Sequence, residues 1–401
     1  MIFDAHPQIL ADFALVPPEL YTSPSPRYDY AHLDYGMTIG IERTKGGRLW
    51  ACWVGGGDSE LAFFLLARSD DLGNSWSAPQ LVIDPHDRRL PLARRTIVGN
   101  LWLDPSGRLW LFFDQAMTFF DGRAGTWFTR CDDPDADQPA WTPPCRIWHG
   151  CALNPPLILS SGEWLLPVSL WDRRRIHPPF ENSFTELDQY RMTNLLVSTD
   201  QGESWHRRGG VAMPEPDFDE PQVVERRDGT LWLTARTGLG LWESFSEDRG
   251  AHWFSPRPSS IANANTRHFL RRLRSGRLLL VKHGEKIGEC PREPGGRFLR
   301  SHLAAFLSDD DGASWQGALL LDERSGVSYP DGTQLDDGSI LVSYDCQRDE
   351  KGHILFARFT EAEVLAGTIE CRESFLKRLI CAPNPVAVAA RLAASSAKQQ
   401  G

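Results

Sequence analysis

The chain has 401 residues and a formal net charge of −10, with 41% hydrophobic and 24% charged residues. This composition supplies a large core and excludes the basic face that phosphate recognition needs, so no nucleic-acid partner is expected. No run of 18 or more apolar residues is present, so no membrane-spanning helix and no membrane partner are expected.

The first residues, Met1 to Gln8, lack a basic region followed by an apolar core. No signal peptide is read there, and a cytoplasmic location is expected. The eight cysteines are scattered and form no CxxC pair. They are expected to be reduced, buried thiols, with no metal site, no disulfide framework and no cofactor.

Taken in order, the chain repeats one plan. Apolar runs flank a Gly-x-(Leu/Ile/Trp) turn at Gly47, Gly107, Gly162, Gly229, Gly276 and Gly338. Each reads as a hairpin whose glycine supplies a positive φ. A second pattern follows most of these hairpins. It runs Ser-x-Asp-x-Gly-x-Ser-Trp at Ser69–Trp76 and Ser198–Trp205, and recurs at Ser246–Trp253 and Ser308–Trp315. In this turn the Asp accepts hydrogen bonds from turn amides, Gly allows left-handed backbone, and Trp closes over the bend. The second repeat carries a degenerate version near Thr129–Trp141, and the sixth carries none.

Six repeats of about four strands, with almost no helical periodicity, predict an all-β chain arranged as a six-bladed β-propeller over residues 1–382. The last blade needs strands near Gly338–Asp345, His353–Phe359 and Ile369–Leu379, with N-terminal residues as candidates to complete it and close the ring. Glu361–Leu365 reads as a short helical turn, and Trp171–Arg191 as a polar-aromatic insertion forming a rim or lid. Residues 383–401 show no packing pattern and are expected to be a disordered tail.

The hairpins and the four Ser-x-Asp-x-Gly-x-x-Trp turns, or Asp boxes, resemble the sialidase (neuraminidase) superfamily over roughly residues 35–360. Beyond the boxes, Glu220 followed one hairpin later by Arg236 resembles the family's Glu and Arg pair. Arg300, before the strand leading into the last box, resembles a second arginine, and Ser328-Tyr329-Pro330-Asp331 resembles the segment of the nucleophilic tyrosine. The following strand ends in Tyr344-Asp345, where the family has Tyr-Glu. Two departures stand out. The family opens blade one with an arginine that completes a triad around the substrate carboxylate, but Met37 or Gly36 falls there, and Arg43 lies too far along the strand. Asp58 sits in the loop of the family's general acid, but that loop is shorter.

The resemblance implies a retaining exo-glycosidase that removes a terminal acidic sugar from an oligosaccharide. Tyr329 would be the nucleophile, Glu220 its base and Asp58 the acid, with Arg236 and Arg300 holding the carboxylate. Arg94, Arg95 and the Asn100 amide are candidates for the missing clamp group, with surface and turn roles as the alternative. Arg267 and His268, at the start of blade five, and Asp345 are further candidates for sugar contacts. His268 and His302 could equally be satisfied core residues, and Trp171 and Tyr190 could stack on a sugar or pack the lid. A polysaccharide lyase or a glycosidase for another glycone, and a non-catalytic glycan-binding propeller, are the competing readings, and oligomeric state is left open.

Overall fold

The computed structural model describes residues 6–399. Six four-stranded antiparallel sheets stand around an axis, each built from one contiguous stretch of chain. Blade one comprises Met37–Arg43, Leu49–Gly55, Phe63–Ser69 and Leu81–Ile83. Blade six comprises Val327–Gln334, Ile340–Cys346, His353–Phe359 and Phe375–Cys381.

All six predicted turn glycines have positive φ, between 84° and 99°. The four Asp boxes share one hydrogen-bond scheme. At the first, Asp71 accepts from the Ser75 amide at 2.9 Å and the Ser75 hydroxyl at 2.6 Å, while the Gly73 amide donates to Ser69 Oγ at 2.8 Å. Residues such as Leu72 and Gln201, just before the box glycine, also adopt left-handed backbone. These turns and the glycine hairpins lie at one end of the blades. The starts of the first strands and the loops joining second to third strands lie at the other, where the site forms.

Ring closure departs from expectation, because among the described residues 6–34 none donates a strand to blade six. Instead, carboxylates of blade six catch backbone amides of blade one. Asp345 accepts from Thr38 N at 3.2 Å and Asp331 from Ile41 N at 3.3 Å. The N-terminal segment packs Tyr28 and Leu33 into the apolar seam between these two blades.

A polar hub on the axis ties all six blades. Arg267 of blade five donates to Asn154 Oδ1 at 2.9 Å, the Ile39 carbonyl at 3.2 Å and Asp331 at 2.7 Å. Gln222 donates to Asn154 Oδ1 at 2.8 Å and Asn100 to the Asn154 carbonyl at 3.0 Å. Buried polar groups tolerate such a position only when their partners are supplied.

Residues expected to be a disordered tail include a helix, Pro385–Gln399; residues 400 and 401 lie outside the described ones. Val388 is buried, Asn384 Nδ2 donates to the Ala31 carbonyl at 2.6 Å, and Arg391 donates to the carbonyls of Asp34 at 3.1 Å and Asp349 at 2.7 Å. Deleting residues 385–401 is expected to cost on the order of 3 kcal/mol and to raise amide exchange at residues 56–61 and 347–352. Denaturant titration and hydrogen exchange check this. Among the described residues, no helix is long and apolar enough to cross a membrane. Cys145 and Cys371 are exposed, contrary to the expectation of buried thiols.

Candidate active site

The first strand of blade four, Pro216–Glu225, loses register with its neighbour around Asp219. Phe218, Asp219 and Glu220 take φ of 66°, 57° and 47° in succession. Each non-glycine residue in that region costs roughly 1–2 kcal/mol, so surrounding structure must hold the bulge. Tyr329, at φ 55°, sits on a matching irregularity in blade six between Ser328 and Asp331. A proline follows each residue, Pro221 and Pro330, and leaves no N–H unpaired where the ladder is broken. Asn154 of the hub fixes the blade-four bulge by donating to the Pro221 carbonyl at 2.6 Å.

These two bulges aim their side chains at each other. The Tyr329 hydroxyl donates a short hydrogen bond to Glu220 Oε1. Arg236 Nη1 donates to the same oxygen at 2.7 Å and lies 3.4 Å from the Tyr329 oxygen. Glu220 Oε2 is buried with no protein partner. Burial, then the Glu220 charge, push the Tyr329 hydroxyl up to about 12. It is therefore neutral near pH 7 and needs a base to react. Burial works against the Arg236 charge, but Glu220, Tyr329 and Asp217 together hold it above its ordinary value.

Arg300 reaches the same pocket from the loop between the second and third strands of blade five, with Nη2 donating to the Asn265 carbonyl at 2.9 Å. Burial, then repulsion from Arg348 and Arg236, lower its value. Arg348 is the residue that sequence reasoning missed. It rises from the loop after Ile340–Cys346, its guanidinium lies 4.2 Å from the Tyr329 ring centroid, and Nη1 lies 2.9 Å from Met37 Sδ. Met37 is one of the two residues, with Gly36, that fall where the resemblance calls for an arginine, and the Arg348 guanidinium of blade six lies against it. Ser328 Oγ at 2.7 Å and buried Asp345 at 3.2 Å hold Arg348. Asp345 thus supports the arginine and does not line the pocket.

The cavity has a volume of about 90 Å³, below the range usual for small-molecule sites. Asp58 stands at its edge, 48% exposed and 3.9 Å from Arg348. It lacks the burial that its expected acid role calls for. Trp171 and Phe119 also line the cavity, so the insertion supplies part of its wall. Tyr190 packs instead against Trp148.

Five other expected contacts lie outside the cavity. Arg95 is fully buried, pairs with Asp114, donates from Nε to the Phe119 carbonyl at 2.8 Å, and lies behind the rings of Phe119 and Trp171. Asn100 and Arg267 belong to the axial hub, below the pocket floor. His268 is buried, with Nε2 2.8 Å from Thr234 Oγ1. His302 does not line the pocket either; its Nδ1 lies 3.0 Å from Ser301 Oγ. Strand position predicted that Asn100, Arg267 and His268 face the axis, but not their depth along it.

Beside Glu220, Asp219 is buried and accepts from Ser169 and Thr193 hydroxyls, both at 3.3 Å. Burial pushes its carboxyl up to about 7. A value raised on folding leaves stability fully present below the ordinary carboxylate range, and stability is lost as pH rises towards 7. Asp219→Asn is therefore expected to raise Tm over the parent by about 5 °C at pH 8 and to change it little at pH 4. Thermal melts at the two pH values check this.

The BNR repeat-like domain model matches residues 47–342. No curated protein matches the chain. Among solved structures, the Hadza microbial sialidase Hz136 superposes with a TM-score of 0.62 at 16% identity, covering 84% of this chain and 67% of the other. The intramolecular trans-sialidase of Ruminococcus gnavus gives 0.60 at 13% identity, covering 86% and 98%. The NanB sialidase of Streptococcus pneumoniae gives 0.57 at 15% identity, covering 82% and 67%. At these identities the likeness is one of fold, a sialidase-like six-bladed propeller. With the model spanning most of the blades, the chain belongs to the BNR repeat-like domain family.

Proposed function

We propose that the protein is a retaining exo-glycosidase that releases a terminal acidic sugar from an oligosaccharide. The observation that carries this reading is the buried Tyr329–Glu220 hydrogen bond at the floor of a pocket that also holds Arg236, Arg300 and Arg348. A neutral phenol beside a carboxylate suits attack on an anomeric carbon that itself bears a carboxylate, because no charged nucleophile approaches the anion.

In the first step the Tyr329 oxygen bonds to the anomeric carbon as its proton passes to Glu220. The glycosidic oxygen departs with a proton from Asp58. In the second step Asp58 takes a proton from water, the water oxygen bonds to the anomeric carbon as the bond from that carbon to the Tyr329 oxygen breaks, and Glu220 returns the proton to the departing phenol oxygen. Two inversions give net retention. The arginines pair with the sugar carboxylate throughout. An aglycone over the mouth of the pocket would cover Asp58 and supply the burial that the free protein does not.

Hydrolysis of methylumbelliferyl glycosides of sialic acid, ketodeoxyoctonate and glucuronate tests the reading, with NMR of the first-formed anomer. Turnover of at least one, with retention, is expected. An inverted anomer, or an unsaturated product absorbing in the ultraviolet, overturns it.

A further inference from the structure

Asp58 stands on the loop joining Leu49–Gly55 to Phe63–Ser69 of blade one. Both ends of that loop are tied down. The Gly56 amide donates to Asp34 Oδ1 at 3.3 Å, and the Ala62 carbonyl accepts from the Thr96 amide at 3.1 Å. Asp58, Glu60 and Leu61, on the crest between these ties, are exposed. There the Glu60 carbonyl lies 3.0 Å from His86 Nε2.

The other ring nitrogen, Nδ1, lies 2.5 Å from Asp84 Oδ1. Asp84 Oδ2 accepts from the Tyr28 hydroxyl at 2.6 Å and from Arg27 at 3.2 Å. Burial works against the Asp84 charge, but His86 and Tyr28 together hold its carboxyl below the ordinary range, so it is ionised. Both groups that face the imidazole are therefore acceptors. Each ring nitrogen needs its own proton to meet them, and only the imidazolium carries two. A neutral ring keeps its proton towards the carboxylate and turns a lone pair to the Glu60 carbonyl.

The remaining charges around His86 are engaged elsewhere. Asp87 pairs with Arg89, and Arg94 donates to the Pro85 carbonyl at 3.0 Å. Burial disfavours the imidazolium and Arg27 adds to this, but Asp84 and the Glu60 carbonyl outweigh both and raise the His86 value.

We propose that His86 is a proton-operated latch on the loop that carries Asp58. As imidazolium it holds the Glu60 carbonyl and keeps the crest at the edge of the pocket. On losing its Nε2 proton it lets the crest go. The held state is present below the His86 midpoint and is lost as pH rises through it. The effect on catalysis rests on the glycosidase reading above; the latch itself does not.

NMR with isotope labels on the glutamate carbonyl carbon and the leucine nitrogen reports the Glu60–Leu61 peptide, assigned by its loss in Leu61→Val. The imidazole signal of His86 is assigned by its loss in His86→Gln. In the parent both signals are expected to titrate with one midpoint, above the ordinary histidine value of about 6.5. Asp84→Asn should lower both midpoints together. In His86→Gln, whose amide donates at every pH, the peptide signal should no longer titrate.

Kinetics then compare two glycosides of one acidic sugar. A methyl glycoside needs a proton on its leaving oxygen, whereas methylumbelliferol departs as a stable anion. Below the His86 midpoint, His86→Phe is expected to lower kcat/KM about tenfold for the methyl glycoside and less than about threefold for the other, with His86→Gln close to the parent. A merely structural role would lower both substrates alike. Asp58→Ala sets the full size of this difference. A Glu60–Leu61 signal that ignores the His86 titration overturns the inference, as does a difference seen in Asp58→Ala but not in His86→Phe. No difference in Asp58→Ala, or no turnover of either glycoside, overturns the acid role in the reading above, and the shared midpoint then decides the latch alone.

Discussion

Tyr329→Phe and Glu220→Gln are each expected to lower kcat/KM by about 10³–10⁴-fold while leaving Kd for an acidic glycoside within a few-fold of the parent. Phe removes the attacking oxygen and nothing else. Gln keeps the shape and can still accept from Tyr329 and Arg236, but its neutral amide cannot take the phenol proton. The two variants differ in pH dependence. Glu220 is one of the groups that push the Tyr329 hydroxyl upward. Without that charge the phenol ionises more readily, and its ionised fraction grows about tenfold per pH unit below its midpoint. Residual activity of Glu220→Gln should therefore climb with pH, whereas that of Tyr329→Phe should not. Steady-state kinetics between pH 6 and roughly pH 10 separate them. Retention of more than a tenth of parental kcat/KM by Tyr329→Phe removes Tyr329 from the nucleophile's role, and the same retention by Glu220→Gln near pH 7 removes Glu220 from the base's.

The parts of this molecule that sequence could reveal are those written by local geometry. Gly229 and its five counterparts take the positive φ that their hairpins require, and Asp71 and its counterparts collect the amides of one turn. That Glu220 and Tyr329 would meet was legible because each lies in a first strand, ahead of a proline, in a run that resembles a family motif. Depth along the axis was not legible. Side chains alternate along a strand, so Glu220 and Gln222 both face inward, yet one enters the pocket and the other the hub beneath it. Arg267 and His268 were misread for the same reason. The C-terminal helix escaped notice because its Ala-rich sequence carries no stripe that a periodicity would expose.

Arg348 was invisible for a different reason: its role depends on two blades meeting at ring closure, across 311 residues of sequence from Met37. That juxtaposition sets up the second large effect. Arg348→Met is expected to weaken binding of an acidic glycoside by about 10²-fold or more, since a charge-assisted pair with the carboxylate is lost. It also strands Asp345, which is fully buried, and should cost about 3–5 kcal/mol of stability. Combining it with Asp345→Asn separates the two losses. Stability should recover towards the parent while affinity stays low, because only the buried carboxylate has been neutralised. The complementary exchange, Met37→Arg with Arg348→Met, moves the guanidinium across the seam into blade one with side-chain volume nearly conserved. Part of the lost affinity should return, at least tenfold over Arg348→Met alone, measured as Kd by calorimetry on the Tyr329→Phe background. Met37→Arg by itself should destabilise the protein, because it sets two guanidinium groups against each other with Asp345 as their shared partner. Full affinity in Arg348→Met would mean that Arg236 and Arg300 suffice to hold the carboxylate, and that Arg348 serves only to fasten blade six to blade one.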